Sequence, residues 1–308
     1  MHATTRRPAA VRRGRLRLAL LVLVVGVLAT VFVAPAVQSA MRDGGAADPA
    51  GPAEVSGGAT GSAARAGPLP DVPARSFAVY DATTRKVLAS RGLDEEVPVA
   101  SITKLMTASL VLAHDGLDEP LAVPPVETAR GESVAGLEAG ETLTRRQLLA
   151  LLLIPSAGDA AEALAVTTGT SRAGFVERMN ARAGEFGLRH TRYVNPAGLD
   201  APGQYSTARD TVVLAARMMR SATVRTIVRR TEARLHGRTL PATNHLLGTG
   251  LGIEGVKTGH TDEAGWCIVV SAMHRGHRLV IAVLGAPDES QRDEAVRGLL
   301  LWAQAADR

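Results

Sequence analysis

The apolar positions of this chain change period twice, from runs typical of strands to helical spacing and back to strands. Residues 76–81 form an apolar run, and a turn leads into a second run at 86–90, which together predict an antiparallel hairpin. A second hairpin is predicted from the runs at 266–273 and 278–284. Strands therefore lie near both ends of the region 76–308.

Helical spacing dominates the sequence between the two hairpins. Segments with apolar residues three and four positions apart are 101–114, 144–153, 159–167, 171–186 and 208–220. A closing helix is predicted at 292–304. This order predicts an α+β domain, in which the terminal strands meet in one antiparallel sheet, helices flank that sheet, and further helices form an inserted subdomain.

The N-terminal region has the pattern of a membrane-targeting segment. Six arginines precede an apolar run at 18–37, which is about long enough to cross a bilayer as a helix. We predict a cytoplasmic basic segment at 1–17, and a signal peptide or transmembrane anchor at 18–40 that places the following residues outside the cell. Small residues at 34–36 would suit signal-peptidase cleavage. Residues 41–75, rich in Ala, Gly and Pro, predict a flexible linker.

Charge and cysteine content narrow the classes of function. The net charge of +5 comes from the N-terminal arginines, because without those six residues the chain is slightly negative. A nucleic-acid-binding surface is therefore not expected. The single cysteine, Cys267, excludes an intrachain disulfide, and the eight histidines are not spaced as metal ligands. We expect no metal and no organic cofactor.

Lysine is rare in this chain. Lys86, Lys104 and Lys257 are its only lysines, although Lys and Arg together number 35. Lys104 follows Ser101 by three residues, so both side chains share one face of the predicted helix. A lysine can lose its proton when buried, whereas arginine stays charged. Ser101 and Lys104 are therefore a candidate nucleophile and base, while Lys86 is expected at the surface.

A second candidate site is Lys257-Thr258-Gly259, which comes shortly before the strand predicted to begin near Trp266. The charge of Lys257 and the hydroxyl of Thr258 suit a carboxylate ligand. The absence of a side chain at Gly259 would let a substrate backbone approach closely, as in strand addition.

Taken together, the motifs resemble those of the serine-type D-Ala-D-Ala carboxypeptidases, the low-molecular-mass penicillin-binding proteins. The likeness runs from about Phe77 to the C-terminus. Its motifs are Ser101-Ile102-Thr103-Lys104 with Leu105-Met106-Thr107, Ser156 near a helix start, Asn195-Pro196-Ala197-Gly198-Leu199, and Lys257-Thr258-Gly259-His260-Thr261. The resemblance implies that 76–308 is a D,D-peptidase domain with the penicillin-binding protein and β-lactamase-like fold, whose sheet has roughly five strands.

The resemblance also implies roles for individual residues. Ser101 would attack the bond between two D-alanines of a peptidoglycan stem peptide, Lys104 would accept its proton, and Ser156 would relay a proton to the leaving D-alanine. The terminal carboxylate would bind at 257–259, and the backbone N–H groups of Ser101 and His260 would form an oxyanion hole. β-Lactams would acylate the same serine. The domain would act outside the cytoplasm, at the membrane or secreted.

One position departs from the family pattern. The second motif of the family is Ser-x-Asn, whereas this chain has Ser156-Ala157-Gly158. Loss of an oxyanion-type donor costs roughly 10²- to 10³-fold in rate, unless neighbouring Asp159 or water compensates. Tyr193-Val194-Asn195 is a rival for the second motif.

Other functions therefore stay open at this point. A D,D-transpeptidase or endopeptidase would use the same residues, and an impaired peptidoglycan-binding or penicillin-sensing protein would explain Gly158. A β-lactamase of the same fold is a further alternative, although no Glu-x-x-Leu-Asn segment occurs between Ser156 and Lys257.

Overall fold

The computed structural model describes residues 67–168 and 171–305. The predicted basic segment, the anchor and most of the predicted linker lie outside these residues. Within the described ranges, no helix is both long and apolar enough to cross a membrane.

The chain order alternates between strands and blocks of helices, as follows: β1 (Ser76–Asp81), β2 (Lys86–Arg91), a 3-10 turn (Ala100–Thr103), α1 (Lys104–Leu112), β3 (Pro120–Ala122), β4 (Thr142–Thr144), α2 (Arg145–Leu153), α3 (Gly158–Thr168), α4 (Arg172–Glu185), α5 (Ala208–Met218), α6 (Ala222–Val228), β5 (Glu232–Leu235), β6 (Arg238–Pro241), β7 (Ile253–Thr261), β8 (Gly265–His274), β9 (His277–Ala286) and α7 (Glu289–Ala305).

The main sheet has five antiparallel strands in the order β2-β1-β9-β8-β7, so strands from both ends of the domain pair in its middle. Ala78 of β1 lies opposite Ala282 of β9, and Val79 lies opposite Ile281. The predicted α+β class and the sheet of about five strands are confirmed. The edge strand β7 carries Lys257-Thr258-Gly259, which is the third motif of the family pattern after those at Ser101 and Ser156.

Both faces of this sheet are buried, which explains why its strands read as continuous apolar runs. Alternate residues of β1 and β8 face opposite layers. Tyr80 and Val269 belong to the core on the side of α5, whereas Val79 and Ile268 belong to the core on the side of α7. α5 packs on β1, β8 and β9 from the first side, and α7 packs on β8 and β9 from the other.

Strand β7 was not predicted as a strand, because its buried positions include Lys257 and Thr258 as well as apolar residues. Polar residues at buried positions break the apolar pattern on which strand prediction rests. The small hairpin of β5 and β6 and the helix α6 were also missed. All of these elements lie between the helix predicted at 208–220 and the strand predicted from Trp266.

The folded domain begins before Ser76. Val72 is only 2% exposed, and the Trp302 indole N–H donates to the Gly67 carbonyl oxygen at 3.1 Å. The guanidinium of Arg91 also donates to the carbonyls of Val72 and Ala74. The last residues of the predicted linker, 67–75, therefore pack on the domain, which the composition of this segment did not reveal because Val72 is an isolated apolar anchor.

Candidate active site

The 3-10 turn that carries Ser101 is packed tightly between a loop and an edge strand. Ala100, just before the serine, has a φ of +48°, a strained value for a residue with a side chain. A Cβ atom at Gly198 would overlap the Ala100 carbonyl group. A Cβ atom at Gly259 would lie 2.8 Å from the Ser101 backbone nitrogen. The surrounding backbone therefore dictates the position of Ser101.

This packing corrects the sequence-based reason for Gly259. We expected the missing side chain to admit a substrate backbone. Instead, the lack of a side chain at Gly259 leaves room for the 3-10 turn of the serine. A Cβ atom at this position would contact Ser101, Ala100 and Val99. β7 and the serine turn are thus held at backbone contact distance.

Lys104 lies in hydrogen-bond contact with Ser101. Its Nζ is 2.8 Å from Ser101 Oγ and donates to the Ala197 carbonyl oxygen at 2.9 Å. The turn containing Ser101 continues directly into α1, so the three-residue spacing places both side chains on one face as predicted. A neutral amine can donate to Ala197 and accept the serine proton with its lone pair.

The surroundings of Lys104 favour its neutral form. Lys104 is 1% exposed, and burial lowers its pKa to about 8, against the opposing charges of Glu132, Asp159 and Glu162. Burial is the cause that lowers this pKa, because the nearby carboxylates act in the opposite direction.

A cavity of about 680 Å³ joins the three motifs. Ser101, Lys104 and Ser156 line it, together with residues of β7 from Thr258 to Thr261. Ser156 is buried in the short connection between α2 and α3, and its φ of +64° is again a strained value. The structure therefore brings the predicted catalytic residues together at one cavity.

The residues of the third motif divide between the cavity and the layer behind it. Lys257 is 1% exposed and its Nζ donates to the Thr258 carbonyl oxygen at 2.8 Å. Burial, with the charges of Lys104 and Arg292, lowers the pKa of Lys257 well below its usual value. Thr258 donates from its hydroxyl to Thr243 Oγ1 at 2.6 Å. Lys257 is therefore a buried group behind the cavity wall, where burial favours its neutral form.

His260 lies at the exposed end of β7. Its ring stacks on the indole of Trp266, with centroids 4.2 Å apart. The side chain thus covers an aromatic ring at the cavity wall, and its backbone continues the strand beside Ser101.

Asn195 is not a substitute for the second motif. Its Oδ1 accepts hydrogen bonds from three backbone N–H groups, those of Ala197, Gly198 and Leu199, at 2.7 to 3.2 Å. Its amide nitrogen donates to the Leu199 carbonyl oxygen. The side chain is fully used in folding this loop, which presents the Ala197 carbonyl to Lys104.

Asp159 does not occupy the position of the missing Asn side chain either. Its carboxylate accepts hydrogen bonds from the backbone N–H groups of Ala135, Gly136 and Leu137 at 2.8 to 3.0 Å, and from that of Ala160. It therefore ties the preceding loop to the start of α3.

Two cavity residues were missed at the level of sequence. Glu132 comes from the loop before β4 and lies against Gly158. Arg292 of α7 is 1% exposed, lies 5.5 Å from the Trp266 ring centroid, and pairs with Glu289 and Asp293. Neither residue stands in a recognisable motif, since a single Glu in a loop and an Arg in an amphipathic helix are ordinary surface patterns.

Replacing Gly259 by alanine is expected to displace the serine turn. The new methyl group would meet backbone atoms, which cannot rotate away as a flexible side chain does. A displacement approaching 1 Å costs about 10²-fold in a reaction that depends on alignment. We expect acylation by a fluorescent penicillin to slow by about that factor.

The matched control is Gly184→Ala in α4, where a Cβ atom meets nothing within 4 Å. That variant should keep its acylation rate and gain about 0.5–1 kcal/mol of stability, as alanine does within a helix. Acylation of the Gly259→Ala variant at the wild-type rate would show that the turn can retreat from β7.

Comparison with known proteins decides the family. The sequence model of the D-alanyl-D-alanine carboxypeptidase family, Peptidase_S11, matches residues 62–288. The chain belongs to this family. D-alanyl-D-alanine carboxypeptidase DacF of Bacillus subtilis (strain 168) is 32% identical over 242 residues, which are 75% of this chain and 62% of DacF. This member of the carboxypeptidase family thus spans about 62% of the length of that relative.

Solved structures of similar proteins agree with the fold. The Streptomyces K15 DD-transpeptidase superposes with a TM-score of 0.72 at 29% identity, covering 77% of this chain and 99% of that protein. Penicillin-binding protein D2 from Listeria monocytogenes, solved in its cefotaxime-bound form, superposes with a TM-score of 0.70 at 30% identity, covering 78% and 100%.

Proposed function

We propose that this carboxypeptidase family member is a serine D,D-carboxypeptidase that removes the terminal D-alanine from peptidoglycan stem peptides through an acyl-enzyme, and that β-lactams acylate the same serine. The observation that carries the proposal is the 2.8 Å contact between Ser101 Oγ and a buried lysine whose pKa is lowered to about 8. A lysine in this state can act as a general base near neutral pH.

Acylation begins when the Ser101 hydroxyl proton passes to Lys104 Nζ and Oγ bonds to the carbonyl carbon of the penultimate D-alanine. The carbonyl electron pair moves to its oxygen, which becomes an oxyanion. The backbone N–H groups of Ser101 and His260 are the donors assigned to it. The Ser101 nitrogen lies beside β7 at Gly259, next to the His260 backbone, which supports this pairing. Fixed donors of this kind are a large part of catalysis in acyl transfer.

Collapse of the tetrahedral intermediate breaks the peptide bond. Lys104 passes the proton that it accepted to the leaving D-alanine nitrogen through Ser156, and both residues line the same cavity. Water then attacks the acyl-enzyme with Lys104 again as the base, and Ser101 is regenerated. Because water acts as the acceptor, the product is a shortened stem peptide.

The terminal carboxylate of the substrate is assigned to the third motif. Thr258 offers a hydroxyl at the cavity wall, and Gly259 lies beside it in the same wall. Lys257 lies behind this wall, and an anion bound in front of it would favour its charged form. Lys257 therefore contributes electrostatically rather than as an exposed ligand.

The substrate class places the domain outside the cytoplasm. The predicted arrangement of a basic segment, an anchor or signal at 18–40 and a linker supports this location, since arginines before the apolar run favour an outward-facing C-terminal domain. Association with the membrane through this segment is part of the proposal.

The proposal is tested by incubating the purified 67–308 domain, with the complete chain in parallel, with a pentapeptide ending in D-Ala-D-Ala. Release of one D-alanine per peptide is expected. A transpeptidase would instead give a higher-mass peptide when an amine acceptor is added, and a penicillin-sensing protein would bind fluorescent penicillin without releasing D-alanine. Absence of both release and labelling would refute the proposed function.

A further inference from the structure

The carboxyl group of Glu132 fills the place where a side chain at position 158 would begin. A Cβ atom built on Gly158 would overlap Oε1 and Cδ of Glu132 and would lie 2.7 Å from its Cγ. No larger residue at 158 can coexist with Glu132 in this position. The glycine in the altered second motif is therefore matched to a glutamate that is 26 residues away in sequence.

The loop that carries Glu132 is fastened to the start of α3. Gly158 N–H donates to the Ser133 carbonyl oxygen at 2.7 Å, and the Asp159 carboxylate accepts from the backbone of 135–137. Glu132 Oε2 also accepts from the Ala129 N–H at 3.3 Å. These bonds keep the glutamate against Gly158.

The charge environment links Glu132 to the proposed base. Its Oε1 is buried and has no hydrogen-bond partner among the described residues. Burial raises the pKa of Glu132, while the positive charge of Lys104 lowers it, and the Glu162 and Asp159 carboxylates also face it. Arg172 pairs with Glu162 at 2.8 Å, and it also interacts electrostatically with Glu132. A buried acceptor without a partner destabilises the fold, which favours a functional reason for its position.

We propose that Glu132 is a positioning residue that replaces the third residue of the family's Ser-x-Asn motif. Its carboxylate occupies the space that a side chain at position 158 would fill, and from there it acts electrostatically on Lys104. The inference rests on the proposed function of Ser101 and Lys104. An amide and a carboxylate both offer an acceptor oxygen, but the carboxylate adds a negative charge. This charge stabilises the Lys104 ammonium that forms when the base takes the Ser101 proton.

The use of Glu132 in place of an asparagine affects how the acylation rate depends on pH. Lys104 must be neutral to accept the serine proton, so acylation falls as pH drops below its pKa. The charge of Glu132 raises the pKa of Lys104, as do Asp159 and Glu162. Glu132→Gln removes that charge with little change of shape, so the acid limb of the acylation rate against pH should move to lower pH. This variant therefore separates the effect of the Glu132 charge on acylation from the effect of its shape.

A double-mutant cycle tests the replacement directly, with second-order acylation by fluorescent penicillin as the measurement. Gly158→Asn alone should acylate at least about tenfold more slowly, because its side chain overlaps Glu132. Glu132→Ala alone should also lose about tenfold. The combined variant Glu132→Ala with Gly158→Asn restores the family motif and frees its space, so it should exceed both single variants and approach the wild type.

The matched control is Glu127→Ala, an exposed glutamate of the same loop, which should behave as the wild type. Thermal unfolding of each variant separates misfolding from loss of rate. The inference is overturned if the double variant is no faster than Gly158→Asn, or if Glu132→Gln and Glu132→Ala both keep the wild-type rate and pH profile. Absence of acylation in the wild type would overturn the proposed function instead.

Discussion

Replacing Ser101 by alanine is expected to abolish covalent labelling by penicillin and release of D-alanine. Ser101 Oγ is the hydroxyl that contacts the buried Lys104 amine, so its removal leaves no group to form the acyl bond. Loss of the nucleophile in a serine hydrolase costs on the order of 10⁶-fold in rate. The measurement is the intensity of the labelled protein band after incubation with fluorescent penicillin, together with D-alanine release.

The control for this variant is Ser90→Ala, which removes an exposed serine from β2. Thermal unfolding should show that both variants fold. Covalent labelling of Ser101→Ala at the wild-type rate would contradict the assignment and would direct attention to Ser156.

Replacing Lys104 by arginine is expected to slow acylation by about 10²- to 10⁴-fold, the range that a general base contributes. Arginine keeps its proton at every accessible pH and cannot accept the serine proton. Wild-type acylation should rise with pH until it levels off above about 8, because the neutral fraction of Lys104 grows about tenfold per pH unit below its pKa. The variant should lack this rise.

Arginine is larger than lysine, so a second variant guards against a packing artefact. Lys104→Met fits the same buried space without a charge, and it should be equally inactive while folding at least as stably as the wild type. Lys86→Arg is the matched control, since Lys86 is exposed at the start of β2. An acid limb near pH 8 that persists in Lys104→Arg would assign that titration to another group.

The regular parts of the fold were predictable because their signals are local. The C-terminal hairpin was predicted within one residue at each side of its turn. Its two connecting residues, Arg275 and Gly276, both have positive φ, the conformation of a tight hairpin. The helix at 101–114 was also predicted, although its first turn is a 3-10 turn. Period and turn chemistry carry this information without knowledge of distant contacts.

The irregular parts required the tertiary structure because their residues interact across long sequence separations. Strand β7 is hidden in the sequence by Lys257 and Thr258, whose burial depends on the layers around them. Gly259 suggested an open approach for substrate, and only the folded chain shows the Ser101 turn occupying that space. Val72 likewise became an anchor through contacts with the C-terminal part of the domain.

By itself the sequence determined the candidate nucleophile and base, the order of the motifs and the sheet that supports them, since spacing along one helix and strand periodicity are local properties. The tertiary structure decided the protonation of Lys104, because burial lowers its pKa and three carboxylates from other segments oppose that shift. It also decided which side chain occupies the space beside Gly158 in the altered second motif. Glu132 meets Gly158 only after a loop and a helix start have packed, and no local pattern records that contact.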